Sequence, residues 1–238
     1  MINPKLNIQQ LRKSYLKEKR VRIEQFLSPE IALGLQDVLR VESLPMHLAF
    51  FLEGKAVTIP SSEFYSENFE RKGAILKGLR ELATQGIGYC YESMMPSKVS
   101  NGQVTLSGQG FDRIRGLSET LASPGLIKLI TQISGNRAIN ASDSQLTRFR
   151  EGHFITRHRD ELLTKRRELA YVLSLTDGWH PDWGGLLQFF NSDGSIRDAW
   201  TPKFNTLSLF DIKHIHSVTY VTPFARVPRY SMTGWFMS

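Results

Sequence analysis

Residues 207–221 read LSLFDIKHIHSVTYV. Leu, Phe, Ile, Val and Tyr dominate, and polar residues fall between them at the short period of a strand. The same texture recurs on both sides. We read strands near 144–158, 169–176, 185–191, 204–211, 214–221 and 229–237, separated by Gly, Pro, Asn and Asp turn signals. Six or more short strands spaced in this way predict a β-sandwich or jelly-roll barrel. Upstream of residue 142 the period changes. Ser28 and Pro29 open a helical pattern over 28–40, a helix is expected over 67–84, and a third begins at Ser123-Pro124 and stops at Gly135. HLAFFLEGKAVTI (47–59) is strand-like, and residues 1–22 read as a basic helix or a loosely held arm. Helices first and a β core afterwards make an α+β protein. Residues 1–140 are taken as an N-terminal support integrated with the core, and 141–238 as the core.

The chain has 238 residues, enough to bury a core without covalent staples. Its one cysteine, Cys90, excludes an internal disulfide framework and fits a reducing compartment. With strand-like neighbours Ile87, Tyr89 and Tyr91, it reads as an inert core thiol. No secretory leader or membrane-spanning stretch is apparent, so the expected address is the cytoplasm. The net charge of +7, from 30 basic and 23 acidic residues, concentrates in Arg12 to Arg22 and Arg157 to Arg167. These are solvated surfaces, or they attract an acidic or RNA-bound partner. No nucleic-acid reading motif accompanies them.

The chemistry starts at His158-Arg159-Asp160. On a strand, residues i and i+2 face one way, so this His and Asp can hold one metal ion from one side. Alone the pair is common by chance, and TRHRDELLTKRR (156–167) reads first as surface charge. A third ligand is available from His214 or His216. Two imidazoles and a carboxylate leave open positions, the set used by iron(II) oxygenases. His47, His153 and His180 are read as ordinary. The final strand, RYSMTGWF (229–236), carries Arg229, Ser231, Thr233 and Trp235 on one face. A guanidinium with a hydroxyl two residues on receives a carboxylate well.

Taken in order, these pieces resemble the 2-oxoglutarate- and iron(II)-dependent oxygenases, in their prolyl hydroxylase-like branch. The resemblance covers roughly 144–238. Gly152 precedes His158-x-Asp160 by six residues, and LAYVLSLTDGWHPDWGGLLQFF (169–190) carries the Trp-containing turn and Gly-Gly-x-Leu. PKFNTLSLF (202–210), His216-Ser217-Val218 and the closing Arg-x-Ser-x-Thr-Gly-Trp-Phe follow. The resemblance implies a double-stranded β-helix with supporting helices. It implies iron(II) on His158, Asp160 and His216, with His216 preferred over His214 for its x-Val context. It implies Arg229 on the distal carboxylate of 2-oxoglutarate, assisted by Ser231, with Arg226 a minor rival. Two positions depart from the branch. Phe149 and Ser174 stand in the cosubstrate pocket where tyrosines are usual.

The implied activity is hydroxylation of a C–H bond with 2-oxoglutarate and O2, giving succinate and CO2, with ascorbate an optional further cofactor. The first substrate expectation is a prolyl residue in a protein or peptide, and the second is a free amino acid or other small metabolite. A non-catalytic binding or sensing barrel and a zinc-dependent hydrolase are the readings outside this chemistry. Trp179 and Trp183 are expected to form a substrate rim or to brace a long turn.

Overall fold

The computed structural model describes residues 1–41, 43–98, 109–161 and 166–238. In chain order these form α1 (Ile8–Glu18), β1 (Arg20–Glu24), α2 (Pro29–Val41), β2 (His47–Leu52), β3 (Lys55–Pro60), α3 (Ser61–Ser66), α4 (Phe69–Thr84) and β4 (Tyr89–Met94). After them come α5 (Gln109–Leu121), α6 (Pro124–Ser134), β5 (Ala141–Ser142), β6 (Gln145–Phe149), β7 (Phe154–His158) and β8 (Arg167–Ser174). The chain ends with β9 (Leu187–Phe190), β10 (Ile196–Trp200), β11 (Thr206–Asp211), β12 (His216–Val218) and β13 (Arg229–Met237).

The strands join in one curled antiparallel sheet. Its path runs β1-β11-β8-β13-β6-β4-β7-β12-β9-β10, with β2, β3 and β5 attached at the side. Strand alternation divides each strand between two environments. On β8, β11 and β13, Leu169, Tyr171, Leu173, Leu207, Leu209, Met232 and Phe236 face outward and pack under the helices α1, α2, α5 and α6. Their neighbours in sequence face the hollow of the curl, where Ala170, Leu187, Phe189 and Phe210 close one end. This curled half-barrel with helices on its convex side is a double-stranded β-helix.

Local chemistry explains the expected elements. Ser123 accepts the Leu126 N–H at the start of α6, and Gly135 ends it in the left-handed region at φ 74°. Other elements differ from expectation. The run 47–59 is a hairpin turning at Glu53-Gly54, and 144–158 is two strands broken at Glu151-Gly152. The basic segment 1–22 is neither one helix nor a loose arm. Its end is β1, whose Arg20–Glu24 pair with Thr206–Phe210 of β11. Helix α5 carried no signal that we read. Part of the basic cluster 157–167 falls at 162–165, outside the described residues.

Two side-chain devices hold β1 in place. Asn205, itself at φ 52°, accepts the Leu27 N–H and donates to the Leu27 carbonyl, both at 2.8 Å. Arg20 crosses to Asp198 of β10 at 2.5 Å and lies over the rings of Phe189 and Trp200. The two ends of the sheet path are thus joined through side chains. Asn205→Ala removes two buried hydrogen bonds and is expected to cost about 2 kcal/mol. A urea titration checks it; an unchanged midpoint would contradict this account of the Leu27 anchor. No helix among the described residues is long and apolar enough to cross a membrane.

Candidate metal centre

His158 ends β7 and His216 begins β12, and these two residues are direct partners across the antiparallel pair. Asp160 lies two residues beyond His158. One ligand atom from each of His158, Asp160 and His216 lies within 4.8 Å of the other two. Nε2 of His158 is 3.8 Å from one Asp160 carboxylate oxygen, and Nε2 of His216 is 3.5 Å from the other. The Nδ1 atoms face away. That of His158 is 2.9 Å from the Thr156 carbonyl, and that of His216 is 3.0 Å from the His214 carbonyl. A proton on each Nδ1 satisfies both carbonyls and leaves both Nε2 lone pairs aimed at the shared space. Burial lowers the His216 pKa, as does the neighbouring His158 charge, against the pull of Asp160. A neutral, ligand-ready imidazole is the result.

His214 does not join this cluster. It sits in the turn before β12, with its N–H on the Asp211 carbonyl and its Nε2 3.2 Å from the Glu18 carbonyl. Strand parity fails because the strand starts only at His216.

The cluster opens into a cavity of about 670 Å³. Its lining includes Arg229, at 2 % exposure. The Arg229 guanidinium lies over the Phe149 ring at 5.2 Å, and its Nε has no hydrogen-bond partner. No acidic side chain pairs with it among the described residues. Burial alone pushes its pKa down to about 10. Ser231, one face-position further along β13, is buried with its hydroxyl unpartnered. A buried cation and a free donor fit an anionic, oxygen-rich ligand. The donor set of two imidazoles and a carboxylate fits iron(II) with room for further ligands.

The remaining expected residues are placed as follows. Phe149 lines the cavity, stacked on Tyr91 at 5.5 Å. Ser174 is buried beside Ser231, its strand partner, and neither serine lines the cavity. Arg226 is exposed and faces two other clefts. Trp179 donates to the Gly184 carbonyl at 2.9 Å and meets Trp183 edge-on. Neither Trp lines this cavity, so they brace the turn. Within that turn Gly184 has φ +70°, and a Cβ there would stand 1.9 Å from the Tyr220 carbonyl oxygen. Cys90 is buried and its thiol is pushed up to about 12, chiefly by burial.

Sequence reading missed Tyr91, Gln145, Arg167 and Thr233, which also line the cavity. Thr233 was visible on the polar face of the last strand. Arg167 was hidden in a basic run, and Tyr91 and Gln145 carried no local signal.

Residues 144–237 match the model of the 2OG-Fe(II) oxygenase superfamily. No curated protein matches the sequence. Among solved structures, the fold is similar to a prolyl-4-hydroxylase of Pseudomonas putida, with TM-score 0.59 and 18% identity over 97% of this chain and 98% of that one. It is also similar to a prolyl hydroxylase of Trichoplax adhaerens in complex with a hypoxia inducible factor peptide fragment. There the TM-score is 0.63 and the identity 17%, over 97% of this chain and 88% of the other. A third similar structure is the α-ketoglutarate-dependent epimerase SnoN of nogalamycin biosynthesis, with TM-score 0.57 and 11% identity over 97% and 82%.

Proposed function

We propose, from the match of residues 144–237 to the model of the 2OG-Fe(II) oxygenase superfamily, that His158, Asp160 and His216 hold iron(II) and that Arg229 binds the distal carboxylate of 2-oxoglutarate. The enzyme then hydroxylates a C–H bond of a prolyl residue in a protein or peptide. One oxygen atom of O2 enters the product, and the other leaves in succinate, formed with CO2 as 2-oxoglutarate loses its carboxyl group. The observation that carries this reading is the His-Asp-His cluster and the buried, unpaired Arg229 in one cavity.

When bound, iron(II) with 2-oxoglutarate supplies the oxidative chemistry that breaks an unactivated C–H bond. The chain's own residues do the rest. The Thr156 and His214 carbonyls fix the two imidazoles by their Nδ1 protons and keep Nε2 available. Asp160 adds an anionic oxygen on the same side. Phe149 covers the guanidinium face of Arg229, which would orient the cosubstrate, with Ser231 as a further donor. Ser174 completes the wall beneath Ser231. Burial around Arg229 excludes water from that end of the site.

Likeness to two prolyl hydroxylases, one with a peptide bound, supports a prolyl target in a polypeptide. Ile87, which lines the cavity, is exposed at the surface. A free amino acid or other small metabolite is the second reading, favoured by the likeness to SnoN, whose reaction is an epimerisation.

Anaerobic addition of iron(II) and 2-oxoglutarate is expected to give a visible charge-transfer band. The band should vanish in His158→Ala, while His214→Ala keeps it. A wild-type protein without the band would sink the proposal. In air, with ascorbate present to return oxidised iron to the ferrous state, succinate formation is the second readout.

A further inference from the structure

We propose that the cleft between α4, the β6–β7 turn and the β12–β13 loop docks an acidic segment of a polypeptide, with large apolar residues among its carboxylates. The inference goes beyond the oxygenase reading and does not depend on it.

This cleft is distinct from the cavity of the metal cluster and holds about 450 Å³, within the usual range of ligand sites. The Phe154 side chain lines it, while the next residue of β7, Ile155, lines the cavity. Three guanidiniums meet there from distant parts of the chain: Arg80 of α4, Arg150 after β6 and Arg226 before β13. None of the three belongs to the basic runs around residues 12–22 and 157–167. Among the described residues, Glu151 is the one acid in the lining, and neither Arg80 nor Arg226 forms an ion pair.

Arg150 is the anchored member. Its Nε donates to Glu92 at 3.1 Å, and its guanidinium lies 5.8 Å from the centre of the Tyr65 ring. Glu92 is fully buried and already accepts from Arg148 at 2.5 and 2.8 Å. One carboxylate thus serves two guanidiniums, and the group stays positive. The Nη groups of Arg150 bond to nothing among the described residues. A guanidinium held by one edge presents the rest of its fork at little entropic cost.

Between the arginines the wall is apolar, made by Leu76, Leu79, Ala225, Val227 and Pro228. Past Arg226, which lines both, a second cleft of about 460 Å³ holds Trp183 and Phe224. Phe224 is 69 % exposed. A free phosphate or small diacid fills only the arginine end of such a groove, whereas a chain fills both.

A polypeptide suits the groove better than a nucleic acid. Single strands are held by bases stacked on open aromatic faces and by cations along the whole track. Here Arg150 lies against the Tyr65 ring, and Tyr220 is stacked on Phe154 at 6.4 Å. Glu151 and Asp182 interrupt the positive track. Aspartate or glutamate interspersed with Leu, Phe or Tyr matches both features. The guanidinium forks donate two N–H bonds to each carboxylate, and the apolar side chains cover the wall and the Trp183–Phe224 end.

Fluorescence-anisotropy titration of the whole chain tests this. The probe is a labelled random copolymer of L-glutamate and L-tyrosine, which presents acidic and aromatic residues in many local orders. Labelled poly-L-glutamate and poly-uridylate are the comparisons. At about 0.15 M salt, where distant charges are screened, the copolymer should bind about tenfold more tightly than either, as expected of one well-buried apolar side chain. The double variant Arg80→Gln, Arg226→Gln should weaken copolymer binding about tenfold or more. The double variant Lys13→Gln, Lys17→Gln removes the same charge from α1 and should leave it unchanged. All four side chains are exposed, so both variants should fold. Phe224→Ser should bring the copolymer close to poly-L-glutamate. A wild type that does not bind the copolymer overturns the proposal, as does equal loss in the two double variants. So does poly-L-glutamate or poly-uridylate bound as tightly as the copolymer, or a copolymer affinity unchanged in Phe224→Ser. The titration needs neither iron nor 2-oxoglutarate, so its failure and that of the oxygenase reading are separate results.

Discussion

Arg229→Met is expected to melt at or above the wild-type temperature in the absence of cosubstrate, and to bind 2-oxoglutarate roughly a hundredfold more weakly or worse. The two halves of this result have one cause. Arg229 is buried, its Nε is unpartnered, and burial is the sole influence on its pKa, which falls to about 10. A lone buried charge destabilises a fold, and an unbranched apolar side chain of similar length relieves that cost by about 1 kcal/mol or more. In the proposed function the 2-oxoglutarate carboxylate would supply the missing partner, so removing the guanidinium would forfeit a buried charge pair. Such losses run to about 2–5 kcal/mol, which corresponds to thirtyfold and upward in affinity. Thermal melts with and without 2-oxoglutarate, and titration of the ligand, read both halves. A variant that melts well below wild type while keeping its affinity would show that Arg229 is a structural residue.

Gly184→Ala is the second large effect. At φ +70° and ψ −148°, Gly184 occupies a backbone region essentially reserved for glycine. Its added Cβ would stand 1.9 Å from the Tyr220 oxygen, a backbone atom that cannot swing aside. The next residue is equally confined. A Cβ on Gly185 would meet Trp179 and Val221 at 3.2 Å and Arg229 at 3.4 Å. The turn is therefore pressed against the segment behind the Arg229 pocket. Backbone strain and the displaced segment together should cost about 3 kcal/mol or more. Any protein that folds should show weakened 2-oxoglutarate binding with iron binding less affected, because His158, Asp160 and His216 lie on other elements. Equal stability to wild type in chemical denaturation would refute this.

How far the sequence foretold this molecule depends on the reach of each signal. Helix α6 was legible because its start and stop are written in adjacent residues, Ser123-Pro124 and Gly135. His158 and Asp160 were legible as a pair from their two-residue spacing, although β7 ends at His158 and Asp160 lies just beyond it, and His216 was legible through its separate motif. The choice between His214 and His216 was not legible from parity, since parity assumes a strand through both and β12 starts at the second. Strand β1 escaped because its RVRIE alternation sits in a basic run and its partner β11 lies far along the chain. Arg167 escaped for a related reason. Next to Lys165 and Arg166 it reads as solvated charge, and only the return of β13 brings Trp235 beneath it. Phe149 and Ser174 were recognised as departures from the tyrosines usual there. What the chain does instead, setting Tyr91 from β4 against Phe149, needed the fold.

The seam where Arg20 meets Asp198 has a consequence for synthesis. During translation β1 emerges long before β10 and β11, which hold it and lie far along the chain. For most of that interval the strand has no ladder to join, and its row of open N–H and C=O groups is available to other chains. Closure of the barrel waits on contacts between distant parts of the sequence, which places this protein among slow folders. A ribosome-bound chain stopped just before residue 196 should leave β1 open to protease, and a released chain that extends through β13 should protect it.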